Sequence, residues 1–433
     1  MELLVFVYIA ALLLLSIYGL HRSWMMWSLV RRPYQAPAVT ETAEWPHVCV
    51  QLPIYNEARV VARLLAAVGE FDYPKDRLEV QVLDDSTDET SRIVDTAVAE
   101  LQRSGFTVQV LRRPVRTDFK AGALRAGMHQ SNAQFFAIFD ADFVPSPDFL
   151  RKLVPHFNDP SVGMVQARWT HLNRSTSLLT RAQAVLIDAH FVIEHTARFL
   201  AGCFFNFNGT AGVWRREAIE DAGGWQGDTI TEDLDLSYRS QLVGWQFVYL
   251  RDVLCAGELP GSISAFKSQQ YRWTRGSAQV CKKLLWKILA GSLSWRTKLE
   301  AFFHLSANFC YVLMLLVALL IAPVSTWRLV NNYGIGTWLE LYIFLCTFAS
   351  MVAFYVYSQI QQGHGFRALE ILAGIVLGVG IVANCAVASL AGIMAGPGVF
   401  VRTPKSGATD TNMADMRSWI AKSGVWQELR RHS

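Results

Sequence analysis

Charge is scarce in this sequence. Of its 433 residues 18% are charged and 52% are hydrophobic, and the net charge is only +4. No dense Lys/Arg tract with interleaved aromatics occurs, which argues against nucleic acid as a partner. Cysteine is sparse too. Cys49, Cys203, Cys255, Cys281, Cys310, Cys346 and Cys385 are scattered, with no CxxC pair. That speaks against a disulfide framework or a cysteine zinc site and fits buried thiols in a reducing compartment. A cleavable secretory signal is not expected either. Residues 3–20 form an uncharged apolar run, but only Met1 and Glu2 precede it, and no small-x-small site comes before the basic cluster. His21, Arg22, Arg31 and Arg32 follow instead. By the positive-inside tendency, residues 1–22 are predicted to be an uncleaved transmembrane helix, with the next segment in the cytosol.

The remaining apolar residues are placed unevenly. Residues 23–46 mix aromatics with Arg and read as an interfacial linker, whereas 47–285 read as a water-soluble domain. Within that domain short runs rich in Val, Ile and Phe (47–54, 78–84, 107–112, 134–140 and 162–168) alternate with helical stretches at 57–69, 87–102, 120–131 and 146–157. Such alternation predicts an α/β domain with a mostly parallel sheet and crossover helices. Ligands bind beyond the carboxyl ends of strands in open sheets of this kind. Asn56, Asp84, Asp85 and Asp140, at those ends, should therefore face one site.

Residues 286–300 are basic and aromatic and are expected to lie on the membrane surface. A C-terminal membrane region over 301–400 follows, and then a cytosolic tail over 401–433. Segments 301–322 and 338–357 are each long enough to cross the roughly 30 Å hydrocarbon layer. Residues 368–396 carry five glycines and Asn384, and Arg402, Lys405, Arg417, Arg430 and Arg431 come after them. A broken pair of short helices, which keeps this basic tail inside, is the preferred reading.

Acidic clusters carry the chemistry. Asp84 and Asp85 end the second strand, Asp140 and Asp142 follow the fourth, and Glu232, Asp233 and Asp235 stand at a helix start. Singly, each could be a cap or a turn residue. Two clusters at strand ends of one sheet point further, because Mg²⁺ takes one or two protein carboxylates together with phosphate oxygens. Asp140 and Asp142 could hold such a metal against a diphosphate. Lys120, at a helix start, could touch phosphate, or be an ordinary surface lysine. Gln269, Arg272 and Trp273 share a helical face by spacing; Arg suits diphosphate and indole suits a sugar or base, but an interfacial anchor has the same composition.

Taken in order, QLPIYNE (51–57), VLDDSTD (82–88), KAGAL (120–124), FDADF (139–143), NGTAGVWR (208–215), TEDLDL (231–236) and QQYRW (269–273) resemble the family-two glycosyltransferases, above all the cellulose-synthase-like mannan and glucan synthases. RTPKSG (402–407) is similar to a cytosolic motif of bacterial relatives. The resemblance implies a GT-A fold, a Rossmann-like mixed sheet, in a cytosolic domain attached to a multi-helix transmembrane domain of the inner membrane. It implies inverting hexosyl transfer from a nucleotide sugar such as UDP-glucose or GDP-mannose, with Mg²⁺ or Mn²⁺ as cofactor. By position, Asp84, Asp85, Lys120, Asp140, Gln269 and Arg272 would bind the donor, and Asp140 and Asp142 the metal. Asp233 would be the general base, and Trp273 and Glu232 would meet the acceptor.

Two acceptors are compatible with these motifs. A growing β-glucan or β-mannan is favoured by the closeness of VLDDSTD and NGTAGVWR to the polymer synthases. A single addition to a membrane lipid such as ceramide or diacylglycerol is favoured by the small number of apolar stretches. A non-catalytic membrane protein would have no need of Asp233.

Overall fold

The computed structural model describes residues 1–39, 44–331, 335–394, 396, 403 and 405–409. Arg402, Arg417, Arg430 and Arg431 of the expected cytosolic tail lie outside them. The chain forms two compact units, one α/β and one helical.

The α/β unit comprises Gln35–Thr180 and Phe204–Ala265, joined by the described residues of Arg402–Ser433. Its strands are β1 (Val48–Ile54), β2 (Leu78–Asp84), β3 (Thr107–Leu111), β4 (Phe135–Ile138), β5 (Phe143–Val144), β6 (Val162–His171), β7 (Gly212–Arg215) and β8 (Gln246–Gly257). They pair in the order β3-β2-β1-β4-β7-β6-β8-β5. The first four in this order are mutually parallel, and β7 inserts antiparallel between β4 and β6. The sheet is therefore mixed. Val48, Val50, Leu52, Val80 and Val82 have no exposed surface, as expected of strands covered on both faces. Each such side chain contributes about 1.5–3 kcal/mol by leaving water. The register sets Ile54 of β1 opposite Asp84 of β2, which aligns the carboxyl ends of the two strands.

Helices Val61–Gly69, Thr90–Arg103 and Phe119–His129 fill the first three expected crossovers. Only Phe149–Leu153 is α-helical in the fourth; Val154–Asn158 tightens into a 3₁₀ turn with Pro155 near its start, where the missing N–H is tolerated. β8 follows no run singled out from the sequence. Its burial pattern is irregular, and its register with β6 shifts between Ala167 and Arg168, so neither alternation nor a continuous apolar run marks it.

The helical unit comprises Met1–Tyr34, Arg181–Cys203 and Phe266–Val401. Residues 181–203 of this unit fall inside the stretch 47–285 that is expected to form the water-soluble domain. Among the described residues, three helical spans in it are long and apolar enough to cross a membrane: Glu2–Arg31, Trp295–Val330 and Glu340–Gln361. Leu3, Phe6, Leu319, Tyr342 and Phe344 are exposed on them, as lipid-facing side chains are. Residues 368–394 form two helices, Ala368–Gly380 and Val382–Met394, bent by 50°. The second lies so close to helix Ile263–Ala290 that a Cβ on Gly392 would stand 2.5 Å from the Arg275 carbonyl oxygen. Its C-terminal carbonyls are not left bare. Arg275 and Gln279 donate to the Gly396 oxygen at 2.9 and 3.2 Å, and Lys282 donates to Ile393 at 2.7 Å.

Candidate active site

The non-glycine residues with a left-handed backbone among those described are Asn56, after β1; Asp118 and Phe119, just before Lys120; and Ala211, beside the Thr210 that holds the Asp140 N–H. Such strain persists where surrounding contacts over-determine it, commonly at functional sites. Asn56 follows β1. There its side chain accepts the Thr87 N–H at 2.8 Å, and its own N–H donates to Ser86 Oγ at 2.9 Å, which ties the ends of β1 and β2 together.

Asp84 and Asp85 do not present free carboxylates. Asp84 is buried and accepts from the Ser86 N–H at 3.1 Å and from Arg112 Nε at 2.9 Å. Asp85 takes a two-pronged contact from Arg113 at 3.0 and 2.5 Å, with Arg116 Nε 3.8 Å away. The Arg116 guanidinium in turn lies 3.5 Å from the centroid of the Tyr55 ring. Since a paired arginine keeps its positive charge and its remaining donors, this edge of the sheet offers cations and an aromatic face, which suit a nucleotide. Arg112 and Tyr55 were not singled out from the sequence. The signal available for them was their place, one residue beyond the ends of β3 and β1.

Two residues past β4, Asp140 stands in a turn, its N–H donating to Thr210 Oγ1 at 2.9 Å. Its carboxylate pairs with Lys120, the second residue of helix Phe119–His129, and Lys120 also donates to the Gly209 carbonyl at 2.8 Å. Gly209 has φ +84°; a Cβ there would meet Asp233 Oδ2 at 2.9 Å and Lys120 Nζ at 3.5 Å. Lys120, Asp140, Gly209 and Asp233 thus share one small space.

Asp233 is the second residue of helix Glu232–Leu242, where the helix dipole favours negative charge. Its Oδ1 accepts the Leu234 N–H at 2.8 Å, and its Oδ2 faces Gly209. Asp235 turns away, fully buried on Arg239 at 2.8 Å, and serves the core. The carboxylates here outnumber their cations. Burial, then the Asp233 charge, push Glu232 up to about 7, with Lys120 pulling the other way. Lys120 itself is lowered by burial, but Asp140, Glu232 and Asp233 outweigh that and hold it above its ordinary value.

Asp142 pairs with a lysine far along the chain, Lys405 Nζ at 2.7 Å. Lys405 and its neighbours are held by Glu258, at the end of β8. The buried Glu258 carboxylate accepts Ser406 N and Oγ at 2.8 and 3.0 Å and Gly407 N at 3.0 Å, besides Arg63 at 3.1 Å. Neither Lys405 nor Glu258 was singled out as a site residue from the sequence, since only tertiary folding brings them to Asp142.

A divalent cation suits this donor set. Among the described residues no three His, Cys, Asp or Glu side chains are placed to cage a metal. The Asp140 side chain remains 36% exposed. Asp140, Glu232 and Asp233 set three carboxylates around the single Lys120 ammonium, while Asp142 faces Lys405. An ion that takes one or two protein carboxylates and completes its shell with phosphate and water needs no more, and it would relieve the negative excess. Gln269, Arg272 and Trp273 belong to the helical unit, on helix Ile263–Ala290, with Gln269 buried and the other two half-buried.

The family described as "Glycosyltransferase like family 2" matches residues 46–276. A probable glucomannan 4-beta-mannosyltransferase 7 of Oryza sativa subsp. japonica is 44% identical over 251 residues, 57% of this chain and 43% of its own length. A probable glucomannan 4-beta-mannosyltransferase 10 of Arabidopsis thaliana is 43% identical over 57% of this chain and 45% of its own. The rice protein numbered 2 in that series is 38% identical over 72% of this chain and 56% of its own. The chain spans about half the length of these curated relatives. A mannosyltransferase from Pyrobaculum calidifontis, solved with GDP-Man and Mn²⁺, has a TM-score of 0.59 at 21% identity, covering 83% of this chain and 98% of that one; it shares the fold.

Proposed function

Because this chain belongs to the glycosyltransferase-like family 2, we propose that it is an inverting, metal-dependent hexosyltransferase that builds a β-linked mannan-type polysaccharide from a nucleotide sugar. The observation that carries the reading is the placement of Asp233. Its carboxylate lies across Gly209 from the Lys120–Asp140 pair, so a base and a phosphate-binding lysine border one space. Tyr55, Arg112, Arg113 and Arg116 receive the nucleotide, and Lys120 meets the diphosphate. Asp233 takes the proton of the acceptor hydroxyl as its oxygen bonds to the anomeric carbon. The bond from that carbon to the diphosphate breaks on the opposite face, so an α-linked donor gives a β-linked product without a covalent enzyme intermediate. Asp140 and Asp142 would hold a divalent cation, which when bound would supply charge neutralisation to the departing diphosphate. The naming of the relatives as mannosyltransferases supports GDP-mannose over UDP-glucose as donor, and a glycan over a lipid as acceptor. His21, Arg22, Arg31 and Arg32 support a cytosolic place for the α/β unit.

The test incubates membranes containing the full chain with labelled GDP-mannose and UDP-glucose in parallel, then separates lipid-extractable from alcohol-insoluble product. Alcohol-insoluble label from GDP-mannose that a β-mannanase releases is the expected result. Label confined to the lipid extract would replace the polymer reading with single addition to a lipid.

A further inference from the structure

The Lys405–Asp142 pair is the feature the catalytic reading does not use. Asp142 was expected to join Asp140 in holding a metal, yet its carboxylate contacts an ammonium at 2.7 Å, and both side chains are about nine-tenths buried. The contact is built, not incidental. Lys405 Nζ also donates to the Glu258 carbonyl at 2.5 Å, and the neighbouring backbone N–H groups of Ser406 and Gly407 both end on the Glu258 carboxylate. Glu258 is fixed in turn by Arg63, itself buried, whose guanidinium reaches the Asp142 carbonyl at 3.5 Å. One buried carboxylate thus clamps the main chain beside Lys405.

We propose that Lys405 is a tethered counter-cation of Asp142 and that a divalent cation entering the site displaces its ammonium. Removing one partner of a buried ion pair leaves the other charge uncompensated at high cost. A tethered lysine avoids that cost while the metal is away. Lys405 holds Asp142 Oδ2, so a dication on this carboxylate repels the ammonium beside it, and a metal that takes both oxygens needs the one that Lys405 occupies. Lys120 on Asp140 repeats the arrangement, but it also meets the diphosphate under the proposed function, whereas Lys405 has no part in that transfer. The inference rests on the assignment of Asp142 as a metal ligand.

Two measurements on the full chain in detergent or nanodiscs test it without turnover. Mn²⁺ binding is measured by titration calorimetry, and acetylation of Lys405 by an amine-reactive ester is followed by mass spectrometry, with the exposed Lys152 as internal reference. Lys405→Met keeps an unbranched apolar stem and removes the competing charge. It is expected to bind Mn²⁺ on the order of tenfold more tightly, the value of one charge-assisted contact no longer broken. In the wild-type chain, Mn²⁺ should accelerate Lys405 acetylation several-fold, half-maximally at the calorimetric Kd. Equal Mn²⁺ affinity in both chains with unchanged labelling overturns the exchange while leaving the metal reading intact. No Mn²⁺ binding to either chain overturns both.

Discussion

At the residue scale, Glu232 and Asp233 are adjacent carboxylates with different surroundings. Asp233 has a backbone N–H on one oxygen and the Gly209 space before the other. Asp233→Asn should therefore lower transfer by about 10²–10⁴-fold, the usual worth of a general base, while donor affinity changes little. Nucleotide release measured beside donor titration checks this, and near wild-type transfer would remove Asp233 from the role. Glu232 titrates near 7 because burial and the Asp233 charge oppose its ionisation. Its folded value lies above its unfolded one. Its favourable contribution is therefore complete below the ordinary carboxylate range and is lost as pH rises towards 7. In metal-free buffer, Glu232→Gln should match the wild-type melting temperature at pH 4.5 and exceed it by on the order of a few degrees at pH 8. A constant difference across that range would mean that Glu232 titrates normally.

Among the elements, strand ends and helix starts are where sequence and function meet. β1 and β2 end in register, and helices Phe119–His129 and Glu232–Leu242 begin with Lys120 and Asp233 near their first residues. Apolar alternation and turn residues made these elements legible in the sequence. β8 was not legible, because its shifted register with β6 breaks the periodicity by which a strand is read. In the helical unit, the approach of helix Val382–Met394 to helix Ile263–Ala290 depends on Gly392. Gly392→Leu should destabilise the protein by about 1–3 kcal/mol through overpacking. The expected signature is an earlier thermal transition in detergent with the Mn²⁺ affinity of the α/β unit unaltered. A wild-type transition temperature would show that the two helices can separate without cost.

For the molecule as a whole, the reading joins a cytosolic α/β unit to helices that cross the membrane, and two outcomes follow. Inside-out vesicles should use externally added sugar nucleotide, and sealed right-side-out vesicles should not until permeabilised. Activity in intact right-side-out vesicles would reverse the orientation. EDTA should abolish transfer and Mg²⁺ or Mn²⁺ restore it, with nucleotide affinity measured alongside; full activity after exhaustive chelation would remove the metal from the mechanism.

The sequence by itself determined which stretches are long and apolar enough to cross a membrane, the alternating α/β pattern and the identity of the acidic clusters. Each is a local property, carried by apolar length, periodicity or a short motif. Only the tertiary structure decided what those acids face. Asp84 and Asp85 acquire Arg112 and Arg113 when β3 lines up beside β2. Lys120 reaches Asp140 across the sheet edge, and Lys405 comes to Asp142 from 263 positions away in the chain. Ion pairs between distant segments leave no periodic trace in the chain, because their geometry exists only after the strands have paired and the core has closed.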